Sequence, residues 1–271
     1  MTSKARDRVG YFTGCLADYR LRSVGLATVS VLTKNHVDVV IPQGYYEDGG
    51  QVCCGSPMIR TGQVDNVKKY LVEHNVKAFE KLGVDTVVSA CAGCTLTWRV
   101  NYPELSKEVL GYDYREKFEV IHTHEYLDRI GLETKGMKPL NLTVTYHDSC
   151  HINRGLEIPP EQPRRLIAQI PGVKLVEMEN HEKCCGAGGG VRAGRRDLSF
   201  LIGGRKLDYV KAVNPDYVVM ACPFCELQYI DVCQRPAGYK VLDLMELLQM
   251  AYGEFKEDQW SDWRQKALPV S

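Results

Sequence analysis

The chain has 271 residues, of which 44% are apolar and 25% are charged, as in soluble globular proteins and unlike disordered or fibrous chains. Its 34 basic and 34 acidic side chains leave no net charge, so no overall field favours nucleic acid or an anionic membrane. This length fits one large domain or two domains of ordinary size.

The first nine residues are polar and lack the apolar run of a secretory signal. Apolar stretches elsewhere, such as residues 217–221, are much shorter than the roughly 20 residues that span a bilayer. We therefore expect a soluble, cytoplasmic protein. Because thiols stay reduced in that compartment, its eleven cysteines indicate metal ligation rather than structural disulfides.

Short runs rich in β-branched residues precede several cysteines and are typical of buried parallel strands. These runs are residues 9–14, 87–90, 142–147 and 217–221. Helical periodicity follows in residues 64–82 and 201–213. Strands that alternate with helices predict an α/β fold with a small parallel sheet and flanking helices in each half.

Ten of the cysteines form two sets of five in the same order: a single cysteine, an adjacent pair and a CxxC element. The sets are Cys15, Cys53, Cys54, Cys91 and Cys94, and Cys150, Cys184, Cys185, Cys222 and Cys225. The gap from pair to CxxC is 36 residues in both sets, and a glycine follows each pair. A duplication explains this agreement.

The polar, turn-forming residues 133–139 separate the two sets and predict halves at 1–135 and 136–271. In open α/β sheets, sites form beyond the carboxyl ends of the strands. The single cysteine and the CxxC of each half follow such ends. We therefore expect five thiolates to converge at one edge of each sheet.

Thiolate sets select zinc, copper(I) or iron–sulfur clusters. A structural zinc ion and an ordinary cubane cluster each use four ligands, whereas each half offers five. Five thiolates favour an atypical iron–sulfur cluster in each half. A zinc-stapled scaffold remains the alternative.

The pattern of cysteine, cysteine pair and CxxC, present twice, resembles the cysteine-rich CCG domain of heterodisulfide reductases, which occurs in their B subunit and in the C-terminal part of their D subunit. The resemblance covers roughly residues 9–250 and implies two duplicated halves related by pseudo-two-fold symmetry. It implies that each set of five cysteines binds one noncubane [4Fe-4S] cluster. It also implies that both clusters face a cleft where the mixed disulfide of coenzyme M and coenzyme B is reduced.

Two clusters suit this reaction because a disulfide takes two electrons and a cluster typically passes one. Two protons must also arrive if both products leave as thiols. His151, adjacent to Cys150, is the candidate catalytic residue because imidazole titrates in the useful range. Attack by a free protein thiolate is disfavoured, since both CxxC elements are already assigned as ligands.

Other histidines and the basic residues are weaker candidates. We expect His147 to be packed in the core, and His122 and His124 to lie at the surface start of a helix. Anionic groups of the substrate make Arg60, Arg154 and Lys206 candidates for its binding, although most basic side chains are simply solvated.

Two features of the second half are assigned structural roles. We interpret the glycines at 186, 188, 189 and 190 as space for a cluster rather than a dinucleotide fingerprint, because they follow a cysteine pair and not a strand. Cys233, outside both sets, is expected to be a buried apolar residue. Residues 255–271 are expected to form a docked helix.

Three functions are compatible with this sequence. The first is the catalytic subunit of a heterodisulfide reductase-type complex, which needs a ferredoxin-like iron–sulfur subunit and a flavin subunit as electron donors. The second is a non-catalytic electron-transfer subunit of a fumarate, lactate, glycolate or glycerol-3-phosphate oxidoreductase. The third is the zinc scaffold. Completeness of both cysteine sets favours the first, with attachment to a membrane only through a partner subunit.

Overall fold

A computed structural model describes residues 7–44 and 46–255 as two parallel four-stranded sheets. The first sheet contains β1 (Arg8–Tyr11), β2 (Asp38–Val40), β3 (Thr86–Ser89) and β4 (Glu119–His122), in the order β2-β1-β3-β4. The second contains β5 (Leu142–His147), β6 (Val173–Leu175), β7 (Tyr217–Met220) and β8 (Lys240–Asp243), in the order β6-β5-β7-β8. Both halves therefore have the same strand order, and the predicted α/β fold is confirmed.

Helices flank both sheets. The first half contains α1 (Gly14–Tyr19), α2 (Arg22–Lys34), α3 (Ser56–Arg60), α4 (Val64–Val67), α5 (Glu73–Glu80), α6 (Ala92–Leu96), α7 (Tyr102–Leu110) and α8 (Thr123–Ile130). The second contains α9 (Glu161–Ala168), α10 (Val191–Gly194), α11 (Arg196–Val213), α12 (Pro223–Tyr229), α13 (Arg235–Ala237) and α14 (Leu244–Ala251). Shorter helical segments are the π-helical turns Lys68–Val72, Thr97–Asn101, His151–Gly155 and Ile230–Gln234 and the 3-10 turn Tyr114–Glu116.

Apolar, β-branched residues form the central strands. Every residue of β7 is buried, as are the last three of β3, because helices cover both faces of each sheet. Parallel pairing places Val87 beside Val120 in the first sheet and Val218 beside Val241 in the second. This packing fixes the strand ends from which the cysteine loops emerge.

Both predicted helical regions are helical. Residues 64–80 form one continuous run in which a π-helical turn separates α4 from α5, and α11 includes the whole of 201–213. The helix expected over residues 255–271 lies outside the described residues, apart from Phe255. No helix in the described ranges combines the length and the apolar character needed to cross a bilayer.

The two halves pack directly on each other. Helix α2 contacts α14, and Val31 and Leu248 belong to the same buried apolar cluster. The Asn35 side chain donates to Tyr252 Oη at 3.2 Å and accepts from Glu133 N at 2.7 Å. These buried contacts hold the second half, and the segment that leads to it, against the end of α2.

Candidate metal centre

All ten motif cysteines lie beyond the carboxyl ends of parallel strands. Cys15 follows β1, and the first CxxC spans the end of β3 and the start of α6; Cys150 and the second CxxC repeat this arrangement after β5 and β7. The adjacent pairs follow β2 and β6, a third strand end in each half. In each half the first strand pairs with the second on one side and with the third on the other, so the strand order switches direction between the two central strands. Such a switch point is where α/β sheets commonly form sites.

Within each half the five thiols form one chain of side-chain contacts. In the first half the order is Cys15, Cys53, Cys54, Cys94, Cys91, and in the second it is Cys150, Cys184, Cys185, Cys225, Cys222. The Sγ atoms of Cys185 and Cys225 are 3.5 Å apart. None of these cysteines forms a disulfide. The structure thus brings together the two predicted ligand sets.

A glycine shapes the loop at each adjacent pair. Gly55 and Gly186 have φ values of 82° and 91°, in the left-handed region that side chains rarely adopt. A Cβ on Gly186 would lie 2.6 Å from the Ser199 carbonyl oxygen, and one on Gly55 would lie 2.8 Å from a Val67 methyl. Gly55 and Gly186 therefore let each loop pass close to the helix behind it, whereas a Cβ on Gly188, Gly189 or Gly190 would meet open space.

The same glycines stabilise negative charge on the first cysteine of each pair. Gly55 N donates to Cys53 Sγ at 3.4 Å, and Gly186 N donates to Cys184 Sγ at 3.3 Å. Hydrogen bonds from Cys15, Cys54 and the Gly55 amide lower the pKa of Cys53 to about 3. Cys150, Cys185 and the Gly186 amide lower the pKa of Cys184 in the same way. Each loop is thus built to hold a thiolate, the form of cysteine that binds metals.

The two sets meet at the boundary between the halves. Cys91 of the first CxxC and Cys222 of the second are in side-chain contact. Away from this contact the two sets reach solvent: Cys15 and Cys184 are exposed, and Cys150 is half-buried. Two sites that are buried where they meet and accessible at their outer ends therefore lie side by side.

His151 lies at this junction. It follows Cys150 in the second half, yet a Cβ built on Gly93 of the first CxxC would lie 3.5 Å from its Nδ1. Burial lowers the pKa of His151, Cys222 raises it, and the Arg60 guanidinium of the first half lowers it further. The candidate catalytic histidine therefore contacts elements of both cysteine sets.

The basic candidates occupy different environments. The charge of Arg60 acts on His151, so this side chain lies near the junction. Arg154 donates to the Glu182 carbonyl at 3.0 Å. Lys206 is 1% exposed and donates to the Asn180 carbonyl at 2.6 Å. Because the amine is buried, it cannot contact an incoming substrate, and Lys206 is no longer a candidate for substrate binding.

His122 and His124 are not at the surface, as the sequence suggested. His122 ends β4 and caps α8, so the predicted helix start is correct, but both side chains are buried and their rings are 4.4 Å apart. The backbones of Ala90 and of Ala221, the residue before Cys222, lie close enough to the His122 ring to raise its pKa slightly. The second half therefore covers this helix start, and burial lowers the pKa of His122 to about 4.

His147 is packed in the core, as predicted, but it also faces the second cysteine set. Its ring nitrogen and the thiols of Cys185 and Cys225 lie within 4.8 Å of one another. His147 Nδ1 donates to the His181 carbonyl oxygen at 3.1 Å, because that oxygen can only accept. Burial lowers the pKa of His147 to about 3 and keeps the ring neutral. The sequence signal for this position was a histidine at the end of a strand, three residues before Cys150 of the second cysteine set.

Cys233 does not join either set. It is fully buried in the apolar core, as expected, and burial raises its pKa to about 12. A thiol with this pKa is neutral and unreactive at neutral pH. The cysteine that lies outside the repeat is therefore structural.

The donor sets fit iron–sulfur clusters. Each half presents five soft sulfur donors that contact one another in a chain, and a backbone amide donates to one of them in each half, Cys53 or Cys184. Four ligands would complete a tetrahedral zinc site and leave one thiol of each set unused. The five sulfur donors that lie together in each half are therefore the five that the sequence predicted.

Comparisons with known proteins connect this geometry to a family. A model of the cysteine-rich domain, CCG, matches residues 9–99 and 144–229, one stretch in each half. The chain is 42% identical over 251 residues to the B subunit of fumarate reductase (CoM/CoB) from Methanothermobacter marburgensis, covering 92% of this chain and 47% of that protein. It is 39% identical over 256 residues to the D subunit of dihydromethanophenazine:CoB–CoM heterodisulfide reductase from Methanosarcina acetivorans, covering 92% and 60% respectively.

Among solved structures, a hypothetical protein from Helicobacter pylori has a similar fold, with a TM-score of 0.61 at 13% identity over 94% of this chain and 51% of that chain. The chain spans about half the length of the first of the two curated relatives and 60% of the second. The family match falls on both halves and includes all ten motif cysteines. The chain therefore belongs to the cysteine-rich CCG domain family and contains two copies of that domain.

Proposed function

We propose that this chain is the catalytic iron–sulfur subunit of a heterodisulfide reductase-type complex. Its substrate is a disulfide, either the mixed disulfide of coenzyme M and coenzyme B or a similar sulfur compound. The contact of Cys91 with Cys222 carries this proposal, because it brings two complete ligand sets together at one junction. The names of both curated relatives, which mention CoM and CoB, support it.

Two noncubane [4Fe-4S] clusters would be held by the two sets of five cysteines. Cys15, Cys53, Cys54, Cys91 and Cys94 would hold one, and Cys150, Cys184, Cys185, Cys222 and Cys225 the other. When bound, the pair supplies the two electrons that cleavage of a disulfide requires. The halves 1–135 and 136–271 each contribute one site.

The residues at the junction would bind the substrate and handle its protons. His151 would deliver a proton to a departing thiolate, because its ring lies beside the contact between the two sets, where Cys222 favours the protonated ring. The Arg60 guanidinium, close enough to act on that ring, would attract an anionic group of the substrate. The two side chains come from different halves, so the substrate site is completed only when the halves pack together.

Electrons must reach these sites from elsewhere. A ferredoxin-like iron–sulfur partner and a flavin subunit are the donors we propose for the assembled complex. We propose a cytoplasmic location, because cysteines that serve as metal ligands need a compartment in which thiols stay reduced, and any membrane attachment would go through a partner.

A second candidate is a relay subunit that passes electrons without meeting the substrate. The name of one relative, fumarate reductase, favours it, because fumarate carries no sulfur for an iron to bind. A relay needs no histidine at the junction of its clusters, whereas His151 lies there. The catalytic role therefore accounts for more of the site.

Metal analysis of anaerobically purified protein tests the foundation of both candidates. We expect brown protein with about eight iron atoms per chain, as two [4Fe-4S] clusters require. Colourless protein that contains zinc would instead support the scaffold and would exclude both redox functions.

A further inference from the structure

The two halves use different residues to hold their cysteine loops. Asn75 and Lys206 occupy equivalent positions, each 21 residues after the second cysteine of its adjacent pair. Asn75 lies on α5 and donates to the Cys53 carbonyl at 3.1 Å. Lys206 lies on α11 and donates to the carbonyls of Asn180 and His181, at 2.6 and 3.3 Å, in the loop that leads to Cys184. The first cysteine loop is thus held by the neutral amide of Asn75, and the second by the cationic amine of Lys206.

Lys206 is an unusual buried cation. It is 1% exposed, and no carboxylate of the described residues forms an ion pair with it. Burying an uncompensated charge is costly, so some nearby negative charge must offset the loss of water. Cys185, Cys225 and Cys184 are close enough to raise the pKa of Lys206, together with the half-exposed Glu182. Burial still lowers this pKa to about 8, which leaves the amine mostly charged at neutral pH.

Asn75 brings no charge to the first site. Its amide is fully buried, and its hydrogen bonds go to Cys53 O, Val52 N and Tyr102 Oη. The aromatic rings of Phe12 and Trp98 pack beside this site, with centroids 5.6 Å apart. The buried side chains Asn75, Phe12 and Trp98 therefore bring no charge to the first cysteine set, and the cation near the junction, Arg60, is exposed to solvent.

Two other ionisable groups behind the second set, His147 and Asp148, do not cancel this difference. His147 stands where Phe12 stands in the first half, three residues before the single cysteine, and its ring is neutral. Asp148 forms a two-point ion pair with Arg164, at 3.0 and 2.9 Å, and also contacts His181 Nδ1 at 2.6 Å. The charge of Asp148 is thus already compensated, whereas Lys206 forms no ion pair with a carboxylate among the residues that the structure describes.

We propose that Lys206 gives the second cluster the higher reduction potential of the pair, so that the second site receives the first electron. Reduction adds one negative charge to a cluster, and a nearby cation stabilises the reduced form more than the oxidised form. Because Lys206 is buried, solvent screens its effect little. The contact of Cys91 with Cys222 provides a short path for the electron from the first site to the second. This inference rests on the proposed function, since it requires two clusters.

A redox titration followed by electron paramagnetic resonance tests the proposal in the purified, cluster-loaded chain. Two single-site variants assign the potentials: Cys225→Ser retains the first cluster, and Cys94→Ser retains the second. We expect the cluster that remains in Cys94→Ser to have the higher potential. Lys206→Gln, which keeps a hydrogen-bond donor but removes the charge, should shift the reduction equilibrium of the second cluster about tenfold, or about 59 mV to lower potential.

Matched variants separate charge from structure. Lys206→Arg should keep the potential of the second cluster, and Lys211→Gln, an exposed position on the same helix, should leave both potentials unchanged. If Lys206→Gln loses its iron, Lys206→Met in the Cys94→Ser background provides the same comparison. Two full clusters with unshifted potentials in Lys206→Gln would overturn this inference alone. Wild-type protein without iron would overturn the proposed function as well.

Discussion

Replacing a buried cysteine that we propose as a ligand is expected to remove the proposed cluster of its half and spare that of the other half. Cys94→Ser and Cys225→Ser should each lower the iron content from about eight to about four atoms per chain. The physical reason is that each of these thiols connects the adjacent cysteine pair to the other cysteine of the CxxC element. Iron and acid-labile sulfide analysis of anaerobically purified variants measures this effect. The double variant should lack both clusters.

Cys233→Ala is the matched control. Cys233 is as buried as the ligands but belongs to the apolar core, so its loss should leave the iron content unchanged and cost only the packing of one small side chain. If Cys94→Ser and Cys225→Ser retained all of their iron, these thiols would not be ligands. If either variant lost all of its iron, the two sites would not load independently.

Replacing His151 is expected to reduce turnover without removing iron. In a complex assembled with its electron donors, His151→Gln should lower the rate of disulfide reduction by about 10²- to 10⁴-fold, the usual contribution of a general acid. Glutamine keeps polar contacts at the junction but cannot donate a proton in the same way. Steady-state rates together with iron content separate loss of chemistry from loss of the cluster.

His36→Asn serves as the control for this variant. His36 is exposed and precedes β2, at the opposite end of the sheet from the cysteine loops, and asparagine tolerates its positive φ of 62°. We expect normal turnover from it. A His151→Gln complex that kept its full rate would remove His151 from the catalytic machinery while leaving the cluster assignment intact.

Sequence patterns predicted the central strands and the cysteine sets because both signals are local. The run 142–147 is the strand β5 itself, and the apolar stretch 217–221 contains β7. The strands β2 and β6 were not predicted, since they have only three residues and lack fully buried positions. Their existence explains how the adjacent pairs reach the same edge as the other cysteines.

Features that depend on contact between the halves could not be read from the sequence. His122 and His124 are buried because the second half covers the start of α8. Nothing near His151 in the chain indicates that it would reach Gly93, almost sixty residues earlier. Lys206 lies in a segment with helical periodicity, and this periodicity does not indicate whether its amine faces solvent or a cysteine loop. These residues acquire their environments only through tertiary packing.

The most direct test of the account is to add the mixed disulfide of coenzyme M and coenzyme B to the partly reduced, cluster-loaded chain and record its paramagnetic resonance spectrum. A new signal that appears only with the disulfide, and is lost in Cys94→Ser and in Cys225→Ser, is the predicted result, because both clusters must meet the substrate at the junction. A spectrum that the disulfide leaves unchanged, in protein with about eight iron atoms, would contradict catalysis at the clusters and favour the relay.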